Sequence, residues 1–283
     1  MPELPEVQTI VTDLLAADLT GKVIIDADVH WPATIATSPP GTFRRNISGR
    51  TIRDIRRRAK LILFELDNGW LLAVHLRMTG RFLLMDGVQA PDKHVHVVIA
   101  LADGRRLWFH DTRKFGRFYL VDTPSVILGR LGPEPLDATF TAQKLASALA
   151  GRRRRIKPLL LDQTFLAGMG NIYVDEALWA ARIHPLLPAE SLLFAEIRAL
   201  HGAIRRVLVQ GVRNAGTTLG SGQSNFHSLG RTRGRNADAL KVFRRTSQPC
   251  PRCKAPIRRI QVAQRSTHVC EACQRSDGGG MTR

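Results

Sequence analysis

Two cysteine pairs near the carboxyl end constrain this chain more than any other feature. Cys250 and Cys253 are separated by two residues, sixteen residues follow, and Cys270 and Cys273 repeat the spacing; no other cysteine occurs. Two close thiolate pairs at this separation can close a tetrahedral site, and four protein ligands leave no open position for a reacting water. The expected ligand is one structural zinc ion, Zn2+, held by all four cysteines. The alternative is four unconnected buried thiols. Lys254, Arg258, Arg259 and Arg265 lie between the pairs around β-branched residues, which suits a β-hairpin that presents cations to phosphates.

Charge narrows the partner. Lys and Arg number 42 against 24 Asp and Glu, a formal net charge of +18 over 283 residues. Such an excess favours a polyanion over a neutral small molecule. Nucleic acid is the first expectation and an anionic membrane surface the second. No stretch reaches the ~18–20 consecutive apolar residues that span a bilayer, and residues 1–11 lack the basic and apolar regions of a secretory signal. The chain therefore reads as cytoplasmic, where thiols stay reduced and a disulfide framework is disfavoured.

The length predicts two domains and a small appendage. Val7, Ile10, Val11, Leu14 and Leu15 recur at helical spacing over residues 5–15, with Pro5 and Glu6 suited to a first turn. From Ile62 to Val121 the pattern changes to short apolar runs, LILFEL, WLLAVHL, RFLLM, HVVIAL, RRLWFH and RFYLV, broken by DNG, DG and ADG. These runs predict an antiparallel sandwich or barrel. LGPEPLD at 131–137 reads as an interdomain connector. Beyond it, TAQKLASALA, PLLLD, NIYVDEALWAA and residues 189–213 read as helices. Residues 214–240, rich in Gly, Ser, Thr, Asn and Arg, suggest a mobile loop before the cysteine module. No internal repeat is visible.

Two further features invite a functional reading. The basic run Arg152 to Arg155 with Lys157 precedes a predicted helix; such runs are often only solvated faces. Joined by Lys60, Arg77 and Arg113, it suits a phosphate-tracking groove. At the amino terminus, removal of Met1 would expose Pro2 as a secondary amine that titrates near pH ~8 and can attack an aldehyde-like carbon. Glu3 stands next to it as a proton source. The alternative is an unremarkable terminus whose acidic residues only favour a helix start.

The blocks MPELPEV, RRRAKLILFEL, HLRMTG, KHVHV, DTRKFG, LGPEPL, IKPLLLDQ, GMGNIYVDEAL, GTTL and AQRSTHVCEACQR resemble the bacterial formamidopyrimidine-DNA glycosylase family, in family order and spacing from residue 2 to about 275. The sister endonuclease VIII group begins Pro-Glu-Gly-Pro and lacks the HLRMTG and DTRKFG blocks. The resemblance implies an α+β multidomain fold. An N-terminal antiparallel β-sandwich with an opening α-helix precedes a helical helix–two-turn–helix domain with a C-terminal zinc β-hairpin, and DNA is held between. The implied boundaries are 1–130 for the catalytic sandwich, 131–137 for the linker and 138–219 for the helix–two-turn–helix. A flexible lesion-capping loop at 220–240, the zinc hairpin at 241–275 and a disordered tail at 276–283 follow.

By the same resemblance the chain is a base-excision-repair glycosylase and AP lyase. It acts on oxidised purines (8-oxoguanine, formamidopyrimidines) and on abasic sites in double-stranded DNA, as a monomer in the bacterial cytoplasm. Pro2 attacks C1′ of the damaged nucleotide and Glu3 protonates the sugar oxygen. Lys60 matches the position assigned to β-elimination and phosphate contact, and Arg265 that assigned to δ-elimination and phosphate contact. DNA contacts carry over to His94, Arg113, Arg152, Lys157 and Asn171. His75 is either a phosphate contact or a strand histidine paired in the core. Met78, Arg113 and Phe115 fill the hole left by the extruded lesion. Flipping a base costs a few kcal/mol of unstacking, which an apolar wedge with a cation offsets. The chain departs from the family over 220–247, where Phe243 stands at a tyrosine position, and at His268, which replaces a common aromatic. Lesion preference is the property most affected. Two other readings remain, an endonuclease VIII-like glycosylase for oxidised pyrimidines and a non-catalytic zinc-dependent protein that binds damaged DNA.

Overall fold

In a computed structural model of the chain, residues 1–220, 226–229 and 233–274 are described. The expected disordered tail at 276–283, and residues 221–225 and 230–232 of the expected capping loop, lie outside them. The chain forms two compact units, Met1–Arg130 with Gly211–Ala237, and Leu131–Gln210 with Asp238–Arg283. Among the described residues no helix is long and apolar enough to cross a membrane.

The first unit opens with α1 (Leu4–Ala16), where proline occupies the first turn and Glu6 reaches back to the Glu3 backbone N–H. Its Val7, Ile10, Val11 and Leu14 are buried at the spacing read from the sequence, whereas Leu15, read with them, is exposed. Two four-stranded sheets follow, antiparallel at every pairing. One runs β1 (Ile24–Val29), β6 (Val95–Leu101), β7 (Arg106–His110), β5 (Arg81–Met85). The other runs β2 (Ile52–Arg58), β3 (Leu61–Leu66), β4 (Leu71–His75), β8 (Arg117–Val121). Helices α2 (Pro40–Ile47) and α3 (Ser125–Leu128) complete the unit. Residues of α1 and of both sheets share one apolar core. Phe82, Phe109 and Phe118 meet edge-on at its centre, with Phe109 and Phe118 centroids 4.9 Å apart.

The predicted strands are all present, but β1 and β2 have no counterpart in the sequence reading. Both are edge strands, and each carries a register shift near its start, between Ile24 and Asp26 and between Ile52 and Asp54. The bulge replaces the period-two alternation with burial three residues apart, at Ile24 and Ala27 and at Ile52 and Ile55. In β2 every other position is charged, an arrangement that also protects the edge.

The second unit contains α4 (Ala142–Leu149), capped by the Thr141 hydroxyl, then α5 (Ile156–Leu161), α6 (Asn171–Ala181) and α7 (Phe194–Arg213) up to Gln210. Helix α6 buries each residue from Ile172 to Leu178, including Asp175 and Glu176. Strands β9 (Arg258–Val262) and β10 (Arg265–Val269) form the predicted hairpin. Its two-residue turn, Ala263–Gln264, has both φ angles positive, as a tight primed turn requires.

Burial lowers the pKa of His96, against a hydrogen bond to the Asp111 carbonyl. It also lowers that of His110, helped by Arg81 and opposed by Asp92, and that of His184 in the second unit, opposed by Glu271. An unfolded imidazole takes up its proton near pH ~6.5. Below that pH the unfolded chain binds more protons than the folded one, so stability falls as pH falls. The melting temperature should hold above pH ~7 and decline between pH ~7 and ~5, before most carboxylates titrate. Replacing His96 and His110 with Gln should flatten that limb; an unchanged slope would exclude these histidines as its source.

Candidate active site and nucleic-acid interface

Pro2 and Glu3 are buried at the head of α1. The Glu6 carboxylate fixes that head. Its Oε2 accepts the Glu3 N–H at 2.8 Å, and its Oε1 accepts the Thr217 N–H at 2.7 Å. Thr217 lies in the GTTL block, just before the segment that departs from the family pattern, and the described part of that segment is tied to it. Asn236 Nδ2 donates to the Thr217 hydroxyl, the Gly234 N–H donates to the Thr218 hydroxyl, and that hydroxyl donates to the Phe226 carbonyl. The Leu229 N–H donates to Asp13 Oδ2 of α1, and Phe226 and Leu229 pack on the sandwich core. Gly216 sits at φ +79°, where an added Cβ would lie 3.0 Å from the Glu6 side chain.

Lys60 is buried in the β2–β3 turn beside Ala59, whose φ is +54°. Arg57 steadies this turn by donating to the Ala59 carbonyl and to Gln8 Oε1 of α1. The neighbouring Leu61 pairs across the sheet with His75. Burial, with the positive charges of Arg77 and Lys60, lowers the His75 pKa to about 3. Its Nδ1 accepts the Arg77 N–H at 2.9 Å, so the ring is neutral near pH 7 and carries its proton on Nε2. His75 is half-buried, and its Nε2–H is the donor it retains.

The structure brings Met78, Arg113 and Phe115 together. Arg113 Nη1 donates to Met78 Sδ at 3.0 Å, and its guanidinium lies 4.8 Å from the Phe115 ring centroid. All three are exposed. The buried Asp111 anchors both loops, accepting from the Thr79 hydroxyl, the Arg113 N–H and the Gly116 N–H. Gly80 and Gly116 flank the Phe109 ring, and a Cβ on either would lie 2.8 Å or 2.3 Å from Phe109 Cζ. His94 is half-buried, 5.5 Å from the His110 ring, with its N–H on Asp92.

In the second unit Arg152 is exposed and ion-paired with no described carboxylate, whereas Arg153 and Arg154 face Glu190 and Asp162. Lys157 does not fit the phosphate contact expected of it. It is 0% exposed, and its ammonium is engaged by Asp175 Oδ1 at 2.6 Å and Thr267 Oγ1 at 2.8 Å. Asn171, half-buried at the start of α6, donates to the Ser266 carbonyl at 2.8 Å, and Arg265 is exposed on the hairpin. The sequence reading gave Glu6 no role beyond a first helical turn and passed over Asp111, Asp175 and Glu176. The available signal was an acidic residue inside an otherwise apolar block, such as the Asp-Glu pair of NIYVDEAL. Glu176 accepts the N–H groups of Lys241, Val242 and Phe243, while burial raises its pKa.

The four cysteine sulfurs lie within 4.8 Å of one another, with Cys253–Cys270 at 3.4 Å and Cys250–Cys273 at 3.9 Å. A tetrahedral site with Zn–S bonds near 2.3 Å spaces its sulfurs ~3.8 Å apart, so the residues fit one structural zinc. Burial opposes the Cys250 thiolate, but the N–H groups of Cys253, Arg252 and the Trp179 indole bring its pKa to about 6. Burial and the Cys253 thiol push Cys270 up, and burial raises Cys273 likewise. Four thiolates at this spacing require a cation among them.

Three family models match the chain: formamidopyrimidine-DNA glycosylase N-terminal domain over residues 1–118, formamidopyrimidine-DNA glycosylase H2TH domain over 131–222, and the zinc finger found in FPG and IleRS over 247–275. A formamidopyrimidine-DNA glycosylase of Protochlamydia amoebophila is 46% identical over 97% of this chain and 100% of its own length, and one of Herpetosiphon aurantiacus is 48% identical with the same coverage. Among solved structures, wild-type Lactococcus lactis Fpg (MutM) in complex with a DNA containing N7-benzyl-Fapy-dG aligns with a TM-score of 0.88. It is 36% identical and covers 97% of this chain and 100% of that one. The Lactococcus lactis Fpg complex with abasic-site DNA aligns at 0.87, with 35% identity over 96% and 99% of the two chains. With a buried amino-terminal Pro-Glu pair, two glycine-flanked loops and a four-cysteine hairpin in family order, the chain belongs to the formamidopyrimidine-DNA glycosylase family.

Proposed function

We propose that the chain is a base-excision-repair DNA glycosylase and AP lyase that removes 8-oxoguanine and formamidopyrimidines from duplex DNA through a Schiff base on Pro2. The observation that carries this reading is the burial of Pro2 and Glu3 at a helix head fixed by Glu6. A protein that only binds DNA has no use for an amine and a carboxylate held there. With Met1 removed, the Pro2 nitrogen attacks C1′ and the C1′–base bond breaks, while Glu3 protonates the ring oxygen as the sugar opens to an iminium. Loss of a C2′ proton then expels the 3′ phosphate by breaking C3′–O3′. Loss of the C4′ proton expels the 5′ phosphate by breaking C5′–O5′. Lys60 is assigned to the first elimination and Arg265 to the second, each also contacting phosphate. Met78, Arg113 and Phe115 occupy the vacated stack, and His94, Arg113, Arg152, Asn171 and His75 contact the backbone. The substrate places the enzyme in the cytoplasm with the DNA.

Three measurements check this reading. Borohydride should trap wild-type protein on 8-oxoguanine and on a preformed abasic site. Glu3→Gln should lose the first by about 10²–10⁴-fold, the usual worth of a general acid, and keep the second. Trapping only on oxidised pyrimidines would favour the endonuclease VIII-like reading, and no trapping at all the binding-only one.

The titration of His75 separates contact types. A neutral donor releases no counterion, so His75→Ala should weaken DNA binding without changing the slope of log affinity against log salt. Arg152→Ala should flatten that slope by about 0.9. An equal slope change in both variants would show that His75 binds as a cation.

The purified protein should contain about one zinc ion per chain, and Cys250→Ser should lose it together with DNA affinity, since a closed thiolate site contributes folding free energy. Normal DNA binding by a zinc-free variant would remove the hairpin from the interface.

A further inference from the structure

The strand that follows Arg265 is held by more than its own hairpin. Asp175 Oδ2 accepts the His268 N–H at 2.9 Å and faces His268 Nδ1 at 3.1 Å. Its Oδ1 accepts from Lys157 Nζ, and that ammonium also donates to the Thr267 hydroxyl. The Thr267 hydroxyl in turn donates to the Arg265 carbonyl at 3.1 Å. Beside them Asn171 Nδ2 donates to the Ser266 carbonyl. The His268 ring, in place of the family's aromatic, stands edge-on to Phe243 at 5.0 Å. Residues 266–268 are thus gripped in series from α5 and α6, and Asp175 is the group on which the grip converges.

These contacts lie where water does not compete. Asp175 is 2% exposed, Lys157 0% and Thr267 1%. Removing one partner of a buried ion pair leaves the other uncompensated, so the arrangement holds only as a unit. A two-stranded hairpin is marginal by itself. The cysteines close its base, but Arg265 sits at the opposite end, next to the turn. The pair is also internally neutral and buried, so it adds little to the field that DNA experiences.

We propose that Asp175 is a positioning residue for the second elimination. Through Lys157, Thr267 and the His268 N–H it fixes the backbone from which Arg265 reaches the departing 5′ phosphate. The proposal rests on the assignment of Arg265 given above. A displacement of about 1 Å in such a group can lower a rate on the order of 100-fold, whereas the first elimination, assigned to Lys60 in the other unit, is untouched.

The test uses the zinc-loaded, full-length protein on a duplex with a preformed abasic site, and resolves the β-elimination product from the β,δ-elimination product. Their ratio is independent of how much protein is active. Asp175→Ala should raise the β-to-β,δ ratio by about tenfold or more and retain its zinc. Lys157→Met/Asp175→Asn removes both charges and keeps an acceptor for the His268 N–H, and should return the ratio most of the way to wild type. If Asp175→Ala does not fold, Asp175→Asn alone, which unpairs Lys157, should show the same rise. A wild-type ratio in folded Asp175→Ala or Asp175→Asn, while Arg265→Ala raises it, overturns the proposal. A wild-type ratio in Arg265→Ala overturns the assignment of Arg265 and the proposal with it.

Discussion

The carboxylate of Glu6 is the contact on which the placement of the amino-terminal Pro-Glu pair depends. One oxygen holds the backbone of Glu3 and the other holds the backbone of Thr217, more than two hundred residues later in the chain. The two chain ends of the site are therefore referred to one side chain within the first unit. A terminal amine is ordinarily among the most mobile groups of a protein. Here the residue next to Met1 is buried, the helix behind it packs four apolar side chains into the sandwich core, and Gly216 leaves Glu6 the room it needs. In the proposed chemistry, an amine placed in this way would lose little freedom on attack, which is where much of the advantage of a bound nucleophile lies.

The same economy governs the exposed loops. Met78, Arg113 and Phe115 are solvent-facing, yet their backbones hang from Asp111, which is wholly buried and accepts from both loops. Gly80 and Gly116 are required because Phe109 fills the space a side chain would take. The aromatic centre of the sandwich thus dictates the sequence of two surface loops. An apolar wedge with a cation on so rigid a base suits insertion into a base stack, which demands shape held against the resistance of the neighbouring bases.

The legible parts of the sequence were those where a single period or spacing carries the information. Strands β3 to β8 alternate or run apolar, the opening helix repeats at three and four residues, and the cysteines announce a tetrahedral site by spacing alone. Edge strands β1 and β2 were not legible, because a bulge in each replaces alternation with threes. Lys157 shows the same limit at the level of a site. In the sequence it belongs to a basic run, and only the fold reveals that Asp175, one turn into another helix, buries its charge. Glu6 likewise reads as an ordinary first-turn acid until Thr217 is seen beside it. Long-range partners of buried charges have no local signature, and they are what separates a cation that meets DNA from one that holds the protein together.

The proposed chemistry turns on which nitrogen carries the sugar. Borohydride reduction of the protein on abasic-site DNA, nuclease trimming, proteolysis and mass spectrometry of the adducted peptide locate it directly. The expected adduct is a peptide that begins at Pro2, with Met1 gone and the reduced sugar on the proline nitrogen. An adduct on the peptide containing Lys60, with Pro2 unmodified, would contradict it.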